Sequence, residues 1–162
     1  MSDTAEFQMP QPTAEHLRIQ AMAGKWKVHC TFYMDPTQPP MICDAIEVFE
    51  QVGPFFVVSK YETDFMGAPF VGRCTLGYDP HQKRWHSIWI DCMSPVLFHL
   101  TGNMEGDTLV MRGEAWSCMT NGVAKHRSTN KTISPNETIM EMFQSMPNGV
   151  EVKTMTMHYK RA

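Results

Sequence analysis

Trp89 and Asp91 stand two residues apart in the run from Lys83 to Met93. On a strand they share one face with Trp85 and Ser87, opposite His86, Ile88, Ile90 and Cys92. An indole beside a carboxylate can line a pocket, the ring packing an apolar body and the carboxylate orienting a polar group. The same spacing has a structural reading: Asp91 caps the turn before Ser94-Pro95 while Trp89 fills core. A second constellation spans the turn Ser134-Pro135-Asn136, with Arg127 before it and Glu141 after it. In an even-sum register the two face each other. As an exposed cross-strand pair, the default, they contribute at most ~1 kcal/mol. Turned inward with Tyr61, they would form a buried polar centre able to fix a carboxylate or carbonyl.

Other reactive residue types form no comparable pattern. Seven histidines occur without an H-x-H or H-E-x-x-H spacing, so no metal or cofactor is expected. Five cysteines, at 30, 43, 74, 92 and 118, are odd in number and lack a C-x-x-C pair. They read as small buried hydrophobes in a reducing compartment. A G-x-S-x-G elbow, a P-loop and a dinucleotide fingerprint are all missing, which leaves no catalytic residue to name and points away from an enzyme.

The 162 residues suit one domain with a full core. A net charge of −3 gives no basic footprint for nucleic acid or an anionic membrane. The stretch Met1 to Glu6 is acidic without an apolar h-region, and no apolar run reaches the ~20 residues a membrane helix needs. A cytoplasmic location is the expectation. Fifteen methionines are many for this length and suit an adaptable, incompletely packed interior.

The elements that must hold these residues are mostly strands. Residues 1–12, with Pro10 and Pro12, read as a flexible N-terminal arm, and residues 13–162 as a single domain. Thr13 is placed to cap a short helix from Ala14 to Met22, with Gly24 as its stop. Beyond Trp26 the period changes from helical to two. Val28, Cys30, Phe32 and Met34 alternate with His29, Thr31 and Tyr33, and Val57, Ser59 and Tyr61 face away from Lys60 and Glu62. About ten runs separated by Gly, Pro, Asn and Asp turns predict an all-β, meandering antiparallel barrel, with a sandwich as alternative. Trp26 shares parity with the apolar face of the first strand. Arg161 shares parity with Met155, Met157 and Tyr159 on the last, which turns His158 outward.

Gly24-Lys25-Trp26 entering the first strand and Arg161 leaving the last resemble the closure of small lipocalin-like (calycin) barrels, where the guanidinium stacks on the indole. Gly24, Trp26 and Arg161 are therefore the expected barrel closure. The stretches Ala23 to Trp26, Met66 to Gly72, Leu76 to Asp79, Lys83 to Trp85 and Trp89 to Met93 also match a pattern. Together with Arg127, Glu141 to Phe143, Asn148 to Glu151 and Tyr159 to Arg161, they resemble the bacterial family of unknown function numbered 1579. Cys92 and Thr156 depart from it, where the family tends to have a small polar residue and a Glu. The resemblance implies a calycin-like (lipocalin- or nitrobindin-like) barrel and brings no established activity.

A binding protein holding a small, largely apolar ligand is the leading expectation, with Val57, Tyr61, Trp89, Asp91, Arg127 and Glu141 as candidate ligand contacts. Two alternatives stand beside it. One is a haem- or nitric-oxide-handling barrel. The other is an interaction module that dimerises through the outward Ile88 and Ile90.

Overall fold

The computed structural model describes residues 8–162. A helix, α1 (Ala14–Gln20), precedes ten strands: β1 (Gly24–Phe32), β2 (Met41–Val52), β3 (Phe56–Phe65), β4 (Ala68–Asp79), β5 (Arg84–Asp91), β6 (Ser94–Glu105), β7 (Thr108–Ser117), β8 (Gly122–Ser134), β9 (Glu137–Ser145) and β10 (Glu151–Arg161). Each strand pairs antiparallel with its sequence neighbour, and β1 pairs with β10 to close the barrel. The all-β barrel read from the alternation is the fold observed. Most of the expected N-terminal arm, residues 1–7, lies outside the described residues, and residues 8–13 carry no regular structure. Among the described residues no helix is long and apolar enough to cross a membrane.

One end of the barrel is sealed by α1. Trp26 pairs in register with Arg161, whose guanidinium carbon lies 4.2 Å from the indole centroid. Arg161 also donates to the carbonyls of Ala21 and Ala23 at 2.8 Å, and Trp26 Nε1 donates to Met22 O at 2.9 Å. A side chain at Gly24 would sit 2.7 Å from the guanidinium at φ +125°, so only glycine leaves this stack intact. The closure inferred from three residues is the one found. His16 pins the helix from the other side. Its Nδ1 accepts the Thr13 N–H at 2.9 Å, its Nε2 lies 3.0 Å from Tyr78 O, and its ring meets Phe55 and Tyr78 edge-on. Ile19 of the helix and, below it, Trp26, Phe49, Val57, Leu76, Trp85, Leu100, Leu109 and Met111 fill this end of the bore.

The opposite end is built from the five connections β1–β2, β3–β4, β5–β6, β7–β8 and β9–β10. Every one carries a methionine: Met34, Met66, Met93, Met119 and Met146. The four strand turns at the helix end carry none. Met34, Met66 and Met93 are exposed. Met66 holds φ +55° in a two-residue turn with Gly67 at +80°, a geometry in which Asn, Asp or Gly is the usual first residue. A methionine there costs ~1 kcal/mol of backbone strain. Hairpin economy does not explain that choice.

Candidate functional site

Strand parity sends one face of every strand into the bore, and the side chains there fall into layers. Beyond the apolar plug, the first polar layer centres on Glu47, the cross-strand neighbour of Trp26. Glu47 is 2% exposed. Ser59 Oγ donates to its Oε1 at 2.5 Å and Tyr159 OH donates to its Oε2 at 2.9 Å. Burial pushes the Glu47 carboxyl above its usual range, against the two hydrogen bonds that favour the anion. Burial likewise pushes the Tyr159 phenol well up, with the nearby Glu47 charge adding to it.

The next layer holds Cys30, Ala45, Tyr61 and Met157, with Cys43, Phe70, Trp89, Met140 and Met155 packed against it. Tyr61 OH lies 3.0 Å from Cys30 Sγ, and its ring meets Phe70 and Trp89 edge-on, each at 5.8 Å between centroids. Cys74 Sγ lies 3.6 Å from Ser87 Oγ. All five cysteines are free. Cys30, Cys43 and Cys74 face the lumen, whereas Cys92 and Cys118 are exposed on open-end turns, contrary to the expectation that all five are buried. Among the described residues no group of three His, Cys, Asp or Glu side chains is arranged to hold a metal ion.

Several lumen-facing residues are only partly buried. Cys74, Ser87, Tyr159, Met140 and Met142 are all half-buried. Yet the Cys74 thiol is walled in tightly enough that burial pushes it up to about 12.

The sequence-derived site residues divide across this geometry. Tyr61 and Trp89 share the upper lumen, as the pocket reading requires. Trp89 fits against Gly72, where a Cβ would come within 2.2 Å of the ring, so glycine there lets the indole lie on the wall. Trp89 Nε1 donates to Asp91 Oδ2 at 2.9 Å, and Asp91 Oδ1 accepts the Met93 N–H at 2.9 Å. Asp91 thus caps its turn and fixes the Trp89 ring together, with each oxygen already engaged. Val57 is 1% exposed and belongs to the apolar plug, two layers below Tyr61, with the Glu47 and Ser59 layer between them.

Arg127 and Glu141 lie on the outer face. The register pairs Arg127 with Phe143 and Glu141 with Thr129, so the two share a face but are displaced by two residues. Arg127 stacks on Phe143 at 4.0 Å and pairs with Glu151 at 2.5 Å, while Glu141 pairs with Lys153. The bulge between Lys153 and Met155 brings β10 carboxylate and amine alongside them. The outward placement that was the default is the one found, although each residue pairs with β10 and not with the other; the buried polar centre of the inward alternative is supplied by Glu47, Ser59 and Tyr159. His158 sits outside, 2.5 Å from Glu137, as its parity requires.

Sequence reasoning missed Glu47, Ser117, His126, Ser128 and Gln144. The available signal was parity: Cys43, Ala45, Glu47 and Phe49 form one face of β2. Ile42, Ile46 and Val48 make the other face equally apolar, so the run could not be phased without its partner strand.

Among solved structures, the chain is similar to "Crystal Structure of Rv2717c from M. tuberculosis", at 13% identity and a TM-score of 0.64, covering 94% of this chain and 99% of that one. This likeness shows the fold. It is also similar to "Structure of a redesigned beta barrel, mFAP0, bound to DFHBI", at 12% identity and a TM-score of 0.48, covering 88% and 100%. No curated protein matches. With the Gly24–Trp26–Arg161 closure in place and a match running over residues 11–161, the chain belongs to the family described as "Protein of unknown function (DUF1579)".

Proposed function

We propose that this protein binds a small, largely apolar molecule inside the barrel and admits it through the methionine-bearing end. The accessible inward surface at Cys74, Ser87, Tyr159 and Met142 carries the reading, because a filled bore would leave none. The five methionines support it. Unbranched thioether side chains re-pack around differing shapes, as an entrance for an apolar solute needs. Tyr61 and Trp89 form the aromatic wall, Asp91 holds the indole in place, the Glu47, Ser59 and Tyr159 layer makes the floor, and Val57 lies in the plug beneath it.

An environment-sensitive apolar dye titrated into the protein tests this reading. One dye per chain is expected, with quenching of tryptophan fluorescence that is lost in Trp89→Phe. No saturable binding, or quenching that persists in Trp89→Phe, would contradict it. Native mass spectrometry of protein purified without added ligand gives the identity of any co-purified molecule.

A second reading, homodimerisation, rests on the exposed outer strip Ile88, Ile90 and Leu97 on β5 and β6, at 37%, 49% and 62% exposure. Size exclusion with light scattering tests it. A dimer converted to monomer by Ile88→Lys supports the interface, and a monomeric wild type removes it.

A further inference from the structure

The two inner walls of the barrel treat their polar atoms differently. On the wall formed by β1, β2, β3 and β10, the side-chain oxygens of Glu47, Ser59, Tyr61 and Tyr159 all have partners. Across the lumen, on β8, His126 Nε2 and Ser128 Oγ are buried with none among the described residues. Ser128 is 3% exposed. An unpaired buried donor or acceptor costs ~1–3 kcal/mol, and native interiors hold few of them. Two on one face of one strand, two residues apart, is a concentration that fold stability does not account for.

Their surroundings narrow what could satisfy them. Ser128 lies in register between Met111 on β7 and Met142 on β9, an apolar bed. Phe98 meets the His126 ring edge-on at 4.8 Å. Gln144, the β9 neighbour of His126, accepts the Ser117 hydroxyl at 2.7 Å through its carbonyl oxygen, and its amide nitrogen has only Met146 Sδ at 4.0 Å. Burial holds the His126 imidazole below its usual range, so the neutral ring faces the lumen. Arg112, Lys125, Arg127 and Lys131 alternate to the outer face of this wall. With the basic side chains outside, a carboxylate or phosphate head would be buried without a counter-charge.

We infer that the inner face of β8 is a hydrogen-bonding subsite, in which His126 Nε2 and Ser128 Oγ hold a neutral polar head group — a hydroxyl, carbonyl or carboxamide — of an otherwise apolar ligand. Ser128 can donate or accept, and a neutral imidazole nitrogen takes the complementary role according to its tautomer. The inference rests on the reading of the lumen as a ligand site and adds the ligand's chemical class and orientation: head toward β8, body toward Tyr61 and Trp89.

Three probes of matched shape test it by displacement of the apolar dye: propylbenzene, 4-propylphenol and 4-propylbenzoate. The phenol is expected to bind about tenfold tighter than the hydrocarbon, and the benzoate weakest, as one hydrogen bond in a dry site requires. Ser128→Ala and His126→Phe should each remove most of the phenol's advantage while leaving propylbenzene within about twofold. Ser128→Ala deletes only an unpaired buried hydroxyl, so it is expected to fold at least as stably as wild type. A phenol advantage unchanged in both variants would overturn the subsite, as would a benzoate that binds tightest. Haemin giving a Soret complex lost in His126→Phe would overturn it too, making that nitrogen a metal ligand. Dye binding with no phenol preference sinks the subsite alone. No dye or probe binding at all sinks the ligand reading with it.

Discussion

At the helix end, Trp26, Arg161 and His16 are each held by several directional contacts, Ile19 is fully buried beside them, and the bore beneath is apolar and filled. At the other end the connections carry exposed methionines, one on a strained backbone, and the lumen below them keeps accessible surface on buried polar and sulfur groups. The contrast separates two uses of the same fold. Closing a barrel calls for rigid rings and a fixed cation. Admitting a solute calls for side chains that re-pack without directional partners. Stability is therefore concentrated at one end, and adaptability at the other.

The largest effect should come from the closed end. Trp26→Ala is expected to lose ~3–5 kcal/mol, since a ring 5% exposed leaves a cavity the plug cannot fill. Arg161→Ala should cost less, and the pair should be non-additive in a urea double-mutant cycle. Additive losses would separate the cation from the indole and weaken the account of this end.

Glu47 sharpens the comparison at the boundary between plug and lumen. Because burial raises its folded-state value, the folded protein holds this proton more tightly than the unfolded chain. Below the ordinary glutamate value, about 4.3, both states are protonated and the group contributes nothing. As pH rises from there to the raised value, stability is lost, and above it the loss is complete. Glu47→Gln has no proton to release. Its stability relative to wild type should therefore improve with rising pH across this window, measured by urea midpoints. A constant difference would mean that Glu47 reaches water through the lumen and is not desolvated.

A smaller effect of opposite sign is expected at the open rim. Met66→Asn relieves a left-handed backbone and should gain up to ~1 kcal/mol while weakening dye binding. A gain in stability with unchanged binding would leave Met66 without a role in entry. Smallest of all, Arg127→Ala should cost no more than ~1 kcal/mol and leave dye binding unchanged, because the Glu151 pair is on the outer surface.

Much of the closed end was legible from sequence alone. Gly24, Trp26 and Arg161 are few, distinctive and fixed by parity, and their geometry follows once first and last strands are neighbours. The same parity correctly turned His158 outward and Tyr61 and Trp89 inward. The polar interior was harder. β2 is apolar on both faces, so Glu47 reads as an outward charge until Trp26 is known to lie beside it. β8 is polar on both faces, which hid His126 and Ser128 and made Arg127 look like an inward candidate. Alternation identifies a face only when the two faces differ in polarity. In this chain β3, whose faces differ, showed Tyr61, whereas β2 and β8, whose faces do not, hid Glu47, His126 and Ser128.

A crystal of the protein soaked with an iodinated analogue, 4-iodophenol, tests most directly whether the barrel is a hollow receptor open at its methionine end. The anomalous signal of iodine locates the molecule without reference to side-chain detail. A single strong peak in the lumen, on the Tyr61 and Trp89 side with the hydroxyl toward Ser128, is the expected result. Peaks confined to the outer strip of Ile88, Ile90 and Leu97, or a lumen empty at saturating ligand, would contradict it.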